Sequence, residues 1–255
     1  MLLEKKQVLI TVKAYPNPSR KYGETVCCAG IDLGTGSWIR LYPIPFRDLE
    51  FPSRFSKYDV IEIKCEKHSR DSRIESYRVD QDSIRVLKHL DTRNNWRARK
   101  DIVLPASSSS FCEILRQVKK NKSLGMFKPC DIDFFWRKSS AVDKDKRKAC
   151  YAQLSFFDRH KSVIENIPFD FYYSFKCLGS EDCAGHELSI VDWEMGEVYR
   201  RWRHEYTPQQ VLFEKIRQKW LDEICSDRND TYFYVGNMQR FREQFMVLGV
   251  FYPRK

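Results

Sequence analysis

The chain has 255 residues, 42% of them hydrophobic and 31% charged, which supplies a packed core and excludes a disordered or fibrous chain. Its formal net charge is +10 with 14% aromatic residues, a balance that points to an anionic partner, nucleic acid first. No apolar run approaches the ~18 residues that span a bilayer, so a membrane partner is not expected.

The opening "MLLEKKQVLITVKAY" is too broken by charge for a signal peptide, and the expected location is cytoplasmic. From there the first hundred residues read as strands. "QVLITVKAY", "ETVCCAGID", "WIRLYPIPF", "YDVIEIKCEKH", "SYRVD" and "SIRVLKHL" are short, evenly spaced and bounded by Gly, Pro or Asp, the pattern of a small antiparallel barrel. Pro43 and Pro45 are expected to end "WIRLY". "IDLGTGSW" reads as a turn, because no third glycine and no helix follow its G-x-G.

A helical stretch follows. "DTRNNWRARKDIV" has cap residues at Asp91 and Thr92 and ends before Pro105. In "SSSSFCEILRQVKKNKSLG", Ser110 and Glu113 form a capping box, Ile114, Leu115 and Val118 a buried stripe, and Gly125 closes the element. These signals divide the chain into an N-terminal barrel over 1–105, a helical connector over 106–125 and a C-terminal β domain over 126–255.

In the second half "DIDFFWRK" and "FDFYYSFKC" read as strands, and "DKDKRKACYAQLSFF" is open between helix and strand. Two helices are predicted over 193–204 and 208–225. Asp192 caps the first, and Met195, Tyr199, Trp202 and Tyr206 form its inner stripe. Thr207 caps the second, with Pro208 at its first position and Leu212, Ile216, Trp220 and Ile224 along its buried face. "TYFYVGNM" and "FMVLGVFYPRK" make a closing hairpin around the loop Gln239–Gln244. The fold class is α+β: two small antiparallel β-barrel halves, the second carrying two long helices.

Three groups of residues could carry chemistry. The first is Cys177, Cys183 and His186, with Gly179 and Gly185 able to shape a tight turn between them. Thiolates and an imidazole at this spacing suit zinc, the cofactor they call for. A fourth ligand would come from His204, Cys150, Cys225 or His160, or from water, which would leave an open site. The alternative is a hairpin with two buried thiols. The other cysteines, in a chain holding nine, read as small buried hydrophobes.

The second group is Glu62 and Lys64, which alternation puts on one face of their strand. With Asp32 or Asp48 they could hold magnesium as a nuclease does, and they are the catalytic candidates; alternating charge on a solvated strand explains them equally. The third is a set of cations interleaved with rings: Trp38, Arg40, Tyr42, Arg47, Lys64, Trp136, Arg137, Lys138, Arg200, Arg201 and Arg203. Such residues track phosphates and stack bases. The P-loop, the Gly-rich dinucleotide turn, G-x-S-x-G and H-E-x-x-H do not occur, which removes the enzyme classes that leave those marks.

"WIRLYP", "CAGHELSIVDWE" and "VLGVFYP", in this order with "ETVCCAGID" and "KYDVIEIKCEKH", resemble the dual OB-containing domain family of prokaryotic conflict and defence-associated proteins, over nearly the whole chain. The resemblance implies two OB-like barrels and nucleic-acid binding, and brings no catalytic residues. The expected function is thus a nucleic-acid-binding recognition subunit of a defence-type system, with a partner protein of the same system as a second partner. A metal-dependent nuclease and an adaptor that docks a partner protein are the alternatives.

Overall fold

The structure is a computed structural model that describes residues 3–15, 17–19, 23–46, 49–140, 167–179 and 182–255. The first half holds β1 (Glu4–Lys13), β2 (Asn17–Ser19), β3 (Gly23–Asp32), β4 (Ser37–Ile44), β5 (Asp59–Lys67) and β6 (Ser76–His89). They pair in the order β1-β5-β6-β4-β3-β2, and β3 also pairs with β1, so five of them close a barrel. β1 closes it by pairing with β5 through residues 4–9 and with β3 through residues 8–13. The pairing of β4 with β6 is parallel; those of β1 with β3 and β5, of β3 with β4 and of β5 with β6 are antiparallel.

Two expectations are corrected here. "SYRVD" and "SIRVLKHL" are one strand, β6, and β4 runs through Pro43 to Ile44. The proline is accommodated where the β3–β4 register shifts, between Val26 and Cys28, so no ladder bond is demanded of its nitrogen.

The second half follows α1 (Arg93–Val103) and α2 (Phe111–Gln117). It contains β7 (Leu124–Phe127), β8 (Pro129–Lys138), β9 (Phe169–Cys177), β10 (His186–Ile190), β11 (Tyr232–Asn237) and β12 (Phe245–Phe251), paired in the order β7-β11-β12-β10-β9-β8. Only Lys128 separates β7 from β8. Residues 124–138 therefore act as one strand that meets β11 at its start and β9 at its end, and the circuit of pairings closes through it. β10 and β12 pair in parallel at Ile190 and Val247. With β7 and β8 counted together, both halves follow the circuit 1-2-3-5-4-1 with strands 3 and 5 parallel, the Greek-key course of an OB barrel. The chain thus repeats one topology without a detectable sequence repeat.

Between β10 and β11 lie α3 (Trp193–Trp202) and α4 (Gln209–Arg217), the latter continued by a π-turn over Gln218–Glu223. Asp192 caps α3 as expected, accepting the Glu194 N–H at 3.0 Å. Leu212, Ile216, Trp220 and Ile224 are all buried. Thr207 is not the cap of α4: the helix starts one residue later, and Pro208 in extended geometry precedes it without a side-chain cap. α2 is capped by Ser110, which accepts the Glu113 N–H at 3.1 Å, but Gly125 does not end it. The turn after α2 closes at left-handed Asn121, and Gly125 lies in β7, where Ile114 leaves no room for a β-carbon. The segment read as a connector belongs to the second core, since Phe111 and Ile114 pack within it.

The halves share a third core. Leu9, Val12, Ala29 and Val60 of the first barrel meet Leu124, Met126, Tyr234, Leu248 and Phe251 of the second. Lys57 and Asp192, both buried, bridge the halves at 2.8 Å, and Ala14 pairs with Asp192 in an isolated bridge. The outer face of β3 and β4 is spent on this contact, whereas the shared core, among the described residues, contains none from β8 or β9.

Candidate metal centre and nucleic-acid face

β9 ends at Cys177, and the chain turns back to β10 at His186. Gly179 and Gly185 take φ of 72° and 97°, the left-handed geometry such a reversal requires. Cys183 stands inside the turn and accepts the Cys177 N–H at 3.4 Å. The capped first turn of α2 presents Cys112 to the same point.

Cys112, Cys177, Cys183 and His186 converge, their ligand atoms all within 4.8 Å of one another. His186 Nε2 is 3.2 Å from Cys112 Sγ and 3.3 Å from Cys183 Sγ, and the sulfurs of Cys112 and Cys177 are 3.7 Å apart. A tetrahedral ion with bonds of about 2.3 Å to sulfur and about 2.1 Å to nitrogen has edges of roughly 3.5–3.8 Å, so the four side chains could hold a metal ion with little adjustment.

The surroundings suit that role. Burial pushes the His186 imidazole down, toward the neutral form that ligates, and Phe111 meets its ring edge-on at 4.8 Å. Burial and the neighbouring thiols push Cys112 up to about 12. Burial also acts to raise Cys183, but N–H groups of Cys177 and Gly185 and the thiols of Cys177 and Cys112 bring it below the ordinary thiol value.

Cys177, Cys183 and His186 are the residues that the sequence singles out; Cys112 is not among them. His204 is exposed and meets Arg203 Nε at 3.1 Å, and Cys225 bonds the Trp220 carbonyl at 3.3 Å. Cys150 and His160 lie outside the described residues. Cys112 is 65 residues from Cys177, and no local spacing announces it.

The expected magnesium group does not assemble around Asp32. Glu62 lies opposite Gln7 of β1 and is held by Lys5 at 2.9 Å, whereas Asp32 lies opposite Val8 and is held by Lys6 at 3.0 Å. Successive residues of a strand face opposite ways, so the two carboxylates are on opposite faces. Glu62 and exposed Lys64 instead share a small cavity with Asp80, Asp82 and Arg85. Asp48 is outside the described residues.

The cation and ring candidates separate by barrel. Trp38 and Arg40 sit on the face of β4 that docks the second half. The indole of Trp38 donates to the Ala106 carbonyl at 3.0 Å, and buried Arg40 donates to Ser123 at 3.1 Å. As phosphate or base contacts these two are corrected, because the same alternation that groups them points them into the interface. Tyr42 accepts from Thr25, and Arg47 is outside the described residues. Trp136 is half-buried, stacked on Phe213 at 4.5 Å and packed against the second core. Arg200 pairs with Glu197 at 2.7 Å, while Arg201 is exposed on α3 and Arg203 is half-buried at its C-cap.

Arg137 and Lys138 are exposed at the end of β8. Arg137 makes a two-pronged pair with Glu187 at 2.7 and 3.0 Å and lies over the rings of Phe135 and Tyr172, about 5 Å from each centroid. Phe135 and Tyr172 are stacked at 5.3 Å with planes 7° apart. Neither ring was singled out in the sequence, although the alternation of "DFFWRK" and "FDFYYSF" pairs them once the β8–β9 register is known.

Residues 4–105 match the family model of a domain of unknown function, DUF8758, and residues 107–255 match that of another, DUF8757. No curated protein matches the chain. Among the described residues no helix is long and apolar enough to cross a membrane.

Proposed function

Because the chain belongs to the DUF8757 family, whose description gives no function, kinship supplies no activity, and we propose one from the geometry: the protein binds single-stranded or structured DNA or RNA. One observation carries the reading. The second barrel has an OB course, and its strand 1–3 face bears the stacked rings of Phe135 and Tyr172 under the Arg137 guanidinium. OB barrels bind strands across this face, with aromatic rings under bases and cations along phosphates. The +10 charge supports the same partner. On the resemblance, the setting is a recognition subunit of a defence-type system.

The Cys3His cluster is assigned zinc. Three thiolates and an imidazole in tetrahedral array suit that ion, and four protein ligands leave no position for a reacting water, so its role is structural. It would tie α2 to the β9–β10 turn at one end of the second barrel.

The test is fluorescence anisotropy of a labelled single-stranded oligonucleotide. Phe135→Ala and Tyr172→Ala are each expected to weaken binding by ~1–3 kcal/mol, the worth of one stacked base. A parent protein that shows no salt-sensitive binding overturns the reading.

A further inference from the structure

Three loops meet where the barrels join. Residues 68–75 link β5 to β6, residues 118–123 link α2 to β7, and residues 238–244 link β11 to β12. They are bound to one another. Gln239 donates to the Arg70 carbonyl at 2.8 Å, Arg73 to the Asn237 carbonyl at 2.9 Å, and the Ile74 N–H to the Asn121 carbonyl at 3.1 Å. Arg242 reaches both Ser72 and Asn121.

The charge on these loops is one-sided. Arg70, Lys119, Lys120 and Arg240 are exposed and, among the described residues, make no ion pair, whereas Lys122 is half-buried and acts on the Glu113 carboxylate. The nearby acids are mostly spent. Asp71 is held by Arg73 at 2.7 Å, and Glu75 is buried, accepting from Ser123 and the Leu124 N–H; Glu243 alone is exposed. Cations gathered on bonded loops with few counter-charges make a positive potential that an anion lowers. Among them stands Phe241, 54% exposed, on a loop tied to its neighbours through the side chains of Gln239 and Arg242.

We propose that this three-loop seam is a phosphate-binding track for a single-stranded nucleic acid, with Phe241 as a platform for one unpaired base. The inference rests on the nucleic-acid reading above and extends it from the second barrel to the junction of the two. Single strand is favoured over duplex because inside a duplex both faces of a base are already covered by its stacked neighbours. The strand 2–3 face of the first barrel is covered by the second, so the junction is where the first barrel can still contribute. It does so through the loop between its strands 4 and 5, which lies against the equivalent loop of the second barrel.

The experiment measures the affinity of a labelled single-stranded oligonucleotide from ~50 to ~200 mM salt, for the parent and for the variant R70A/K119A/K120A/R240A. Each phosphate contact contributes roughly 0.7 to the slope of log affinity against log salt for single strands, so the variant's slope should fall by up to about 3 and its affinity by more than about tenfold. Phe241→Ala should weaken binding with the slope unchanged. The substituted side chains are exposed, and an unchanged melting temperature shows that the fold is kept. If the parent binds and the variant keeps the parent's slope, the seam is overturned while the nucleic-acid reading stands. If the parent does not bind at all, that reading fails first. Competition by polyglutamate as effective as that of unlabelled oligonucleotide makes the seam a site for acidic protein and overturns the proposal.

Discussion

Cys112 and His186 come from elements 74 residues apart and meet at 3.2 Å, and the value of each depends on the other three ligands. Cys112→Ser removes one thiolate. Elemental analysis should find about one zinc in the parent and far less in the variant. The variant's melting temperature should fall to that of the chelator-treated parent, because binding energy at a structural site is folding energy. A parent that carries no zinc returns the three thiols and the imidazole to a metal-free packing cluster. Cys177, Cys183 and His186 were legible in the sequence because one turn holds them all. Cys112 was not, because only the packing of α2 on the second core brings it there. The same limit applied to Arg40 and Trp38. Alternation put them on one face of a strand, but could not say that another barrel covers that face.

Elements were legible where their own periodicity decides them. The α4 stripe and the Asp192 cap are of that kind. The exceptions are set by contacts. Gly125 looks like a helix terminator and is a strand residue pressed against Ile114. Gly196, in the middle of α3, has a comparable reason to lack a side chain: a β-carbon there would stand 2.1 Å from the ring of Tyr15 in the first half. Alanine normally favours a helix, by up to about 1 kcal/mol over glycine. Here Gly196→Ala should instead destabilise by ~1–3 kcal/mol, read as a lower urea midpoint, since overpacking must push Tyr15 or the helix aside. A midpoint that rises would show that Tyr15 yields freely.

For the molecule as a whole, a shared apolar core and a buried ion pair hold the two barrels together. Lys57 and Asp192 are both buried and lie on opposite sides of that junction. Lys57→Met should cost ~3–5 kcal/mol, because it leaves a buried carboxylate without its partner. Adding Asp192→Asn, which keeps an oxygen to cap α3, should restore part of the loss in the same urea titration. Asp71 gives the junction a pH dependence. Burial opposes its ionised form, but hydrogen bonds from the Arg73 backbone and guanidinium outweigh burial and bring it from 3.8 to about 2. A carboxyl lowered on folding stabilises above its unfolded value and stops doing so as pH falls through the folded one. The melting temperature should therefore drop between pH 4 and pH 2, and Asp71→Asn should flatten that part of the curve. The family models divide the chain between residues 105 and 107, but the shared apolar core does not divide there. Such a contact resembles a subunit interface within one chain, and the peptide between the halves would act by raising their effective concentration. Residues 1–106 and 107–255 made as separate chains should each be poorly soluble alone, and should assemble into a 1:1 complex when produced together.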